Sequence, residues 1–493
     1  MVRNIQDLNM IDPMHTFNLF MDSDKMLALL QQHLPKCASG EYALTECKIQ
    51  HPRYKTYLRT DSRKKSFLAL VYHLRTRNLR TLKIESQILY CKAYLGKYSY
   101  IEFLKAQHNA ELNGRESLLH IADLGMLCWS FPHDPVMYWL PVLVALQPLQ
   151  KRMALTLFFK QCNTYDSIHR VELSVINYRP EIRCTNRYIV YFSSGAQRIV
   201  FAKTFADTQQ GKVTFHRMKK LWQRSLQKPN SFEMAEPLAY ETGLCTIWLD
   251  GLQGNPLYNT LKTNNENQQA LLQQIACGLA DLHRVSLSAL AVITPDAQLA
   301  EVRKKALKLV RTFPRLQYVL EKTITQLENS KPDPARISMR LIHGDFHLKQ
   351  LLLLEHRRVA LFDFDELALG DPLLDLANFC ADLYDQAFEP HLIPEIITKL
   401  YKHYQTASGT DINAERFNWH LRIQLLTRAY RCYIQQKPDL ELQLSRFIEL
   451  AALESFSNIM EFQFSETTAI HKPAYANNNL NTHAITDTKF QLK

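Results

Sequence analysis

Glycine is scarce in this 493-residue chain, at 13 residues, and no two of its ten cysteines lie closer than ten residues. The first scarcity argues against a structure built on many glycine turns. The second leaves no CxxC pair and no Cys/His cluster with zinc-ligand spacing. The cysteines sit instead in apolar or strand-like runs, such as Leu89-Tyr90-Cys91 and Leu127-Cys128-Trp129. That is the setting of small buried hydrophobes in a reducing compartment. Long apolar runs are missing too. The longest, residues 136–149, is broken by Pro141 and Pro148, and a membrane helix needs ~18 apolar residues. No continuous apolar segment of secretory type opens the chain. The expectation is a cytoplasmic protein without membrane insertion.

Charge is present and unevenly placed. The formal net charge is +11, from 59 Lys+Arg and 48 Asp+Glu. Residues 48–105 hold 14 Lys/Arg and three acids (Asp61, Glu85, Glu102), so this stretch alone carries the whole excess. Aromatic residues are interleaved there, including Tyr54, Phe67, Tyr72 and Tyr90. In alternating strands such residues are more often core than stacking platforms for bases. The stretch therefore favours an anionic partner over nucleic acid.

The pattern divides the chain into a helical lead-in (1–45), a β-rich unit (46–165), a second β-rich unit (166–260), a helical part (261–462) and a disordered tail (463–493). The two β-rich units read as copies. Each has a strand with one lysine, Leu89-Tyr90-Cys91-Lys92-Ala93-Tyr94 and Val200-Phe201-Ala202-Lys203-Thr204-Phe205. Each lysine is followed by a helix-like segment and then a glycine-led strand, at Gly125 and Gly243.

The chemistry is concentrated in Leu341-Ile342-His343-Gly344-Asp345-Phe346-His347-Leu348-Lys349-Gln350, followed by the greasy strand Val359-Ala360-Leu361-Phe362 and then Asp363-Phe364-Asp365. This reads as strand, tight polar loop and hairpin, with carboxylates at a loop and at a strand end. Hard oxygen ligands in that arrangement suit Mg²⁺. A carboxylate left free of metal can take a proton from a hydroxyl. Phosphoryl transfer uses both parts.

These motifs resemble the aminoglycoside phosphotransferase and choline kinase family, with its HGDxHxxN loop, its strand ending in IDxD, and its GDPxxDLA segment, here Gly370-Asp371-Pro372-Leu373-Leu374-Asp375-Leu376-Ala377. The chain is similar to a bacterial subgroup that carries an extra N-lobe-like segment. The resemblance implies an α+β, protein-kinase-like bilobal fold, with a small antiparallel-sheet N-lobe and a mostly helical C-lobe, preceded by a second N-lobe-like α/β unit. The implied N-lobe is 166–260 and the implied C-lobe 261–462. The implied activity is ATP- and Mg²⁺-dependent phosphorylation of a hydroxyl on a sugar, amino alcohol or related small molecule.

The resemblance further implies residue roles. Asp345 is the catalytic base. Asp363 and Gln350 hold metal, Gln350 standing where the family usually has Asn. Lys203 meets the nucleotide phosphates, and Asp250 and Leu252 lie on the segment that meets the adenine. His343, Asp365 and Asp375 support the site. Lys92 reads as structural, and Asp371 as the cap of a helix beginning at Pro372.

Two departures from the family pattern stand out. Ser193-Ser194-Gly195 is all that offers itself as a phosphate loop, and the helix after Lys203 has no obvious glutamate to pair with it, Glu233 and Glu236 being the nearest candidates. They support a competing reading, a pseudokinase or nucleotide-binding scaffold with little transfer activity.

Overall fold

The structure, a computed structural model, describes residues 13–57, 66–94, 98–112, 118–145, 167–227, 232–262, 266–386, 388–389, 391–455 and 457. The basic run 63–65 and the tail 463–493 lie outside the described residues.

Two five-stranded antiparallel sheets come first. One consists of β1 (Tyr42–Lys55), β2 (Phe67–Asn78), β3 (Ile84–Tyr94), β4 (Leu118–Ile121) and β5 (Met126–Ser130), in spatial order β1-β2-β3-β5-β4. The other consists of β6 (Ile168–Arg179), β7 (Arg183–Phe192), β8 (Gln197–Phe205), β9 (Pro237–Glu241) and β10 (Thr246–Asp250), in the same relative order β6-β7-β8-β10-β9. Each has a helix between its third and fourth strands, Tyr98–Leu112 and Thr208–Leu226. In the second helix Asp207 caps the free amides of Gln209 and Gln210, and Gly211, Thr214, Met218 and Leu221 form the buried face.

The match between the sheets shifts one sequence-level alignment. Each fifth strand follows a 3-10 turn ending in a left-handed residue: Gly125 (φ 60°) and Cys245 (φ 47°). The counterpart of Gly125 is therefore Cys245, not Gly243. The apolar run around Gly243 gives no register by itself; the turn geometry does.

The sheets pack on each other. In β2 the residues Phe67, Ala69 and Val71 enter a core with Tyr90 and Trp129 and with Val171, Tyr188, Val200 and Trp248 of the second sheet. The alternate residues Leu68, Leu70, Tyr72 and Leu74 enter the larger core, with Phe17, Met26 and Leu30 of the lead-in helices. A strand covered on both faces reads as an unbroken apolar run, as 67–72 does.

The remainder is helical: Glu266–His283, Pro295–Thr312, Gln317–Asn329, Leu373–Asp385, Leu392–Ser408, Ala414–Gln435 and Leu440–Ala452. Two three-stranded sheets are set among these helices: β11 (Gly254–Pro256) with β14 (Leu351–Leu354) and β15 (Val359–Leu361), and β12 (Ala291–Val292) with β16 (Ala368–Gly370) and β13 (Arg340–Ile342). The fold is α+β: a five-stranded sheet unit followed by a mostly helical unit, and preceded by a second sheet unit of the same strand order. Among the described residues no helix is long and apolar enough to cross a membrane.

Candidate active site

The loop after β13 is held from beneath by one buried carboxylate. Asp375 accepts the His343 amide at 2.6 Å and the Gly344 amide at 2.9 Å, and it meets His283 Nε2 at 3.1 Å. Tyr404 fixes the other ring nitrogen of His283 at 2.7 Å. His343 is wholly buried and donates from Nε2 to the Phe362 carbonyl at 3.1 Å. Burial lowers its pKa, so the ring is neutral. Gly344 has φ +81°, and a Cβ there would lie 2.2 Å from the Glu366 carbonyl oxygen. Only glycine fits that backbone and that approach.

Asp345 projects from this loop with 42% of its side chain exposed. Burial raises its pKa, but His347, Arg431 and His343 outweigh that and bring it down to about 2. His347 Nε2 lies 3.5 Å from its Oδ2, while His347 Nδ1 accepts the Lys349 amide at 3.2 Å.

Asp363 follows β15 in the left-handed region, at φ 68° and ψ 58°. Aspartate tolerates this better than most residues, and such backbones cluster at functional sites. Its side chain is fully engaged. Arg183 grips it with both terminal guanidinium nitrogens, at 2.9 and 3.0 Å, and also reaches Asp365 at 2.6 Å. Lys203 Nζ bridges the same two carboxylates at 2.5 and 2.6 Å. Gln350 Nε2 donates to Asp363 Oδ2 at 3.2 Å. Burial pushes Asp363 up, yet Lys203 and Arg183 overcome it and hold the carboxyl below the ordinary range. Burial, with the Asp363 charge beside it, keeps Asp365 raised.

The site thus holds two kinds of carboxylate, one open and ionised, and a buried pair neutralised by two cations. Among known families, residues 191–408 match the model of the phosphotransferase enzyme family. The match covers less than half of the chain and is a likeness of that segment. Solved structures with a similar course include choline kinase from Cryptosporidium parvum (12% identity, TM-score 0.45, covering 62% of this chain and 93% of that one). A macrolide 2'-phosphotransferase from Brachybacterium faecium is another (13%, 0.40, 61% and 98%). So is an ADP-bound aminoglycoside phosphotransferase (12%, 0.41, 64% and 99%). No curated protein matches the chain.

Within the matched segment, the structure gathers His343, Asp345, Gln350, Asp363, Asp365, Asp375 and Lys203 into one cluster, linked through His347 and Gln350 and held on Asp375. Asp250 and Leu252 lie apart from that cluster, at the link between β10 and β11. Asp250 pairs with Arg198 at 2.9 Å, and Leu252 is half-buried. Asp371 does receive the Leu373 amide at 3.0 Å, but the helix starts at Leu373, one residue later than expected. The Asp371 carboxylate also holds Arg416 and His420.

Three features correct the sequence reading. The turn over Asp363 is the β6–β7 turn, residues 180–182, because Arg183 at its exit reaches Asp363. Ser193-Ser194-Gly195 forms the β7–β8 turn at the far end of β7. The acidic partners of Lys203 are Asp363 and Asp365, while Glu233 pairs with Arg358 and His356.

Lys92 is tied to the same turn. It meets Glu181 at 2.6 Å among the rings of Phe67, Tyr90 and Trp129. Buried Asp134 accepts the Glu181 amide at 3.0 Å and the Tyr178 hydroxyl at 2.8 Å. The first unit therefore fastens the hairpin that carries Arg183. The signal that could have found it is the charged turn Arg179-Pro180-Glu181-Ile182-Arg183, whose side chains alternate in sign where a glycine loop was sought.

Proposed function

We propose that this protein is an ATP- and Mg²⁺-dependent small-molecule kinase, transferring a phosphoryl group to a hydroxyl. The observation that carries this reading is the division between carboxylates. Asp345 is open and ionised beside the buried pair Asp363 and Asp365, whose side chains are 13% and 4% exposed. One carboxylate to receive a proton and a separate set to balance phosphate charge are the two requirements of the reaction.

The donor chemistry suits the metal. Among the described residues no group of three His, Cys, Asp or Glu side chains forms a metal cluster. Mg²⁺ needs less than that: one or two carboxylates, with waters and substrate phosphates completing the shell. Asp363, Asp365 and the Gln350 amide would supply the protein's share. When bound, the ion would offset charge on the phosphates. The guanidinium of Arg183 balances that carboxylate charge in this structure and would have to yield part of its hold.

In the reaction, Asp345 orients the acceptor hydroxyl and takes its proton. The hydroxyl oxygen forms a bond to the γ-phosphorus as the bond to the β–γ bridging oxygen breaks, giving a phosphate monoester and ADP. Lys203 holds phosphate oxygens. Asp375 keeps the loop rigid, so that Asp345 is pre-oriented.

The second reading, a pseudokinase, draws on one specific observation: every oxygen of Asp363 already has a protein partner. A thermal-shift titration with nucleotide, with and without Mg²⁺, followed by ATP turnover over a panel of hydroxyl compounds, separates the two. Binding without turnover, unchanged in Asp345→Asn, would leave only the second.

A further inference from the structure

The β2–β3 hairpin outruns the core. Residues 67–72 are buried, and Leu74 and Thr76 are the last of β2 to be covered. Beyond them the hairpin continues to the cross-strand pair Arg77–Ile84 and a turn. Residues 79–84 are all exposed, with Leu79 at 48%, Leu82 at 60% and Ile84 at 61%. Three aliphatic side chains thus stand together at one end of the sheet without protein over them.

The turn that presents them is fixed. The Asn78 side-chain oxygen accepts the Arg80 amide at 3.0 Å and the Thr81 amide at 2.8 Å. The Asn78 carbonyl accepts the Leu82 amide, and the Asn78 amide donates to the Lys83 carbonyl, both at 2.9 Å. The Leu79 amide donates to the Glu41 carbonyl at 3.0 Å, tying the turn to the residue before β1. Leu82 holds φ 57°, where glycine or asparagine is the ordinary occupant. A leucine there strains the backbone and, being exposed, gains no packing in return. That combination points to a contact outside the fold.

Basic side chains flank the same end. Arg77 lies on the same face as Ile84, its cross-strand partner, and Arg80 sits in the turn; both are exposed. Among the described residues neither forms an ion pair with a carboxylate, whereas Arg75 is taken by Glu46 and Lys83 by Glu85.

This chemistry discriminates among partners. Nucleic-acid bases stack on aromatic rings, and residues 77–84 contain none. Protein interfaces are anchored chiefly by Trp, Tyr and Arg, with Leu under-represented. Aliphatic side chains beside unpaired cations match the boundary of an anionic bilayer, where apolar groups enter between headgroups and cations meet negative lipid.

We propose that the β2–β3 turn docks the protein on an anionic lipid bilayer, with Leu79, Leu82 and Ile84 at the headgroup boundary and Arg77 and Arg80 on the headgroups. The protein lies on that surface and does not span it, in keeping with the absence, among the described residues, of a helix long and apolar enough to cross. Three side chains bury little area, so the docking is reversible and salt-sensitive. It gives the basic stretch 48–105 an anionic partner, and it does not depend on the kinase reading.

The full chain is sedimented with vesicles of phosphatidylcholine and with vesicles of an equal mixture with phosphatidylserine. The wild type is expected to pellet with the mixed vesicles, to be released by salt, and to ignore phosphatidylcholine alone. Leu82→Asn removes the apolar side chain and suits the left-handed backbone. It is expected to melt no lower than the wild type yet to bind about tenfold more weakly, and about a hundredfold when Leu79→Ser is added. Arg77→Gln with Arg80→Gln is expected to weaken binding about thirtyfold at low salt. No binding to the mixed vesicles, equal binding to both kinds, or leucine variants that bind like the wild type would overturn the proposal. Tighter binding to single-stranded RNA than to mixed vesicles, lost in the arginine variant but kept in the leucine variants, would overturn it in favour of nucleic acid. A dimer that the leucine variants convert to monomer, with no vesicle binding, would overturn it in favour of a second copy of the chain.

Discussion

Replacing Arg183 with alanine removes three contacts at once, two to Asp363 and one to Asp365, from side chains that are 16%, 13% and 4% exposed. Breaking one side of a buried ion pair costs about 3–5 kcal/mol when the remaining charge has no other partner. Lys203 still bridges both carboxylates, so the loss falls lower, at about 2–3 kcal/mol. For a domain of this size each kcal/mol moves the melting temperature by about 2–4 °C, so the metal-free variant melts about 5–10 °C below the wild type.

Mg²⁺ provides the discriminating arm. A divalent ion entering between Asp363 and Asp365 restores the missing positive charge in the variant. In the wild type it must first displace the guanidinium. Scanning calorimetry across a Mg²⁺ series is therefore expected to show the gap narrowing by at least half, with the variant responding at about tenfold lower Mg²⁺, a difference of about 1.4 kcal/mol. Arg183→Lys keeps one charge and is expected to fall between. A gap that stays constant at every Mg²⁺ concentration would refute the idea that Arg183 stands where the metal's charge is needed.

Other changes follow from the same geometry. Gly344→Ala sets a Cβ 2.2 Å from the Glu366 carbonyl at a positive φ; denaturant unfolding is expected to show a loss of about 2–4 kcal/mol. Lys92→Met leaves Glu181 buried without its cation and is expected to cost about 2–3 kcal/mol, partly recovered by adding Glu181→Gln, as a double-mutant cycle would measure. His51 is held down at about 4 by surrounding protein, Arg179 and His73. The unfolded chain therefore binds its proton first, and stability falls as pH drops from about 6.5 towards 4. His51→Asn, which tolerates the local φ of 50°, is expected to flatten that slope in unfolding midpoints measured against pH.

The loop 343–350 and the strand end at Asp363 were legible because their signal is local. His343, Asp345, Gln350 and Asp363 lie within 21 residues, and the apolar strands between them fix their spacing. The doubled strand pattern was legible because both sheets repeat one order of strands, and runs such as 67–72 carry the burial on both faces.

What could not be read were the pairings between distant segments. Arg183 meets Asp363 across 180 residues, and Lys92 meets Glu181 across 89. No periodicity links such positions, and a charged turn looks like any solvated turn until the sheet register aims it at that cluster. The basic stretch 48–105 divides as well: Lys92 pairs with Glu181 of the second unit, while Arg77 and Arg80 remain exposed.

The most direct test of the central claim is phosphate transfer itself. Wild type and Asp345→Asn would be incubated with ATP, Mg²⁺ and a panel of hydroxyl compounds with and without phosphate groups, and products read by mass. The wild type is expected to add one phosphate to a hydroxyl compound of the panel, and Asp345→Asn to slow this by about 10²–10⁴-fold, the usual worth of a positioned base. ATP binding with no phosphorylated product, or a variant as fast as the wild type, would contradict the assignment of Asp345 and of the activity.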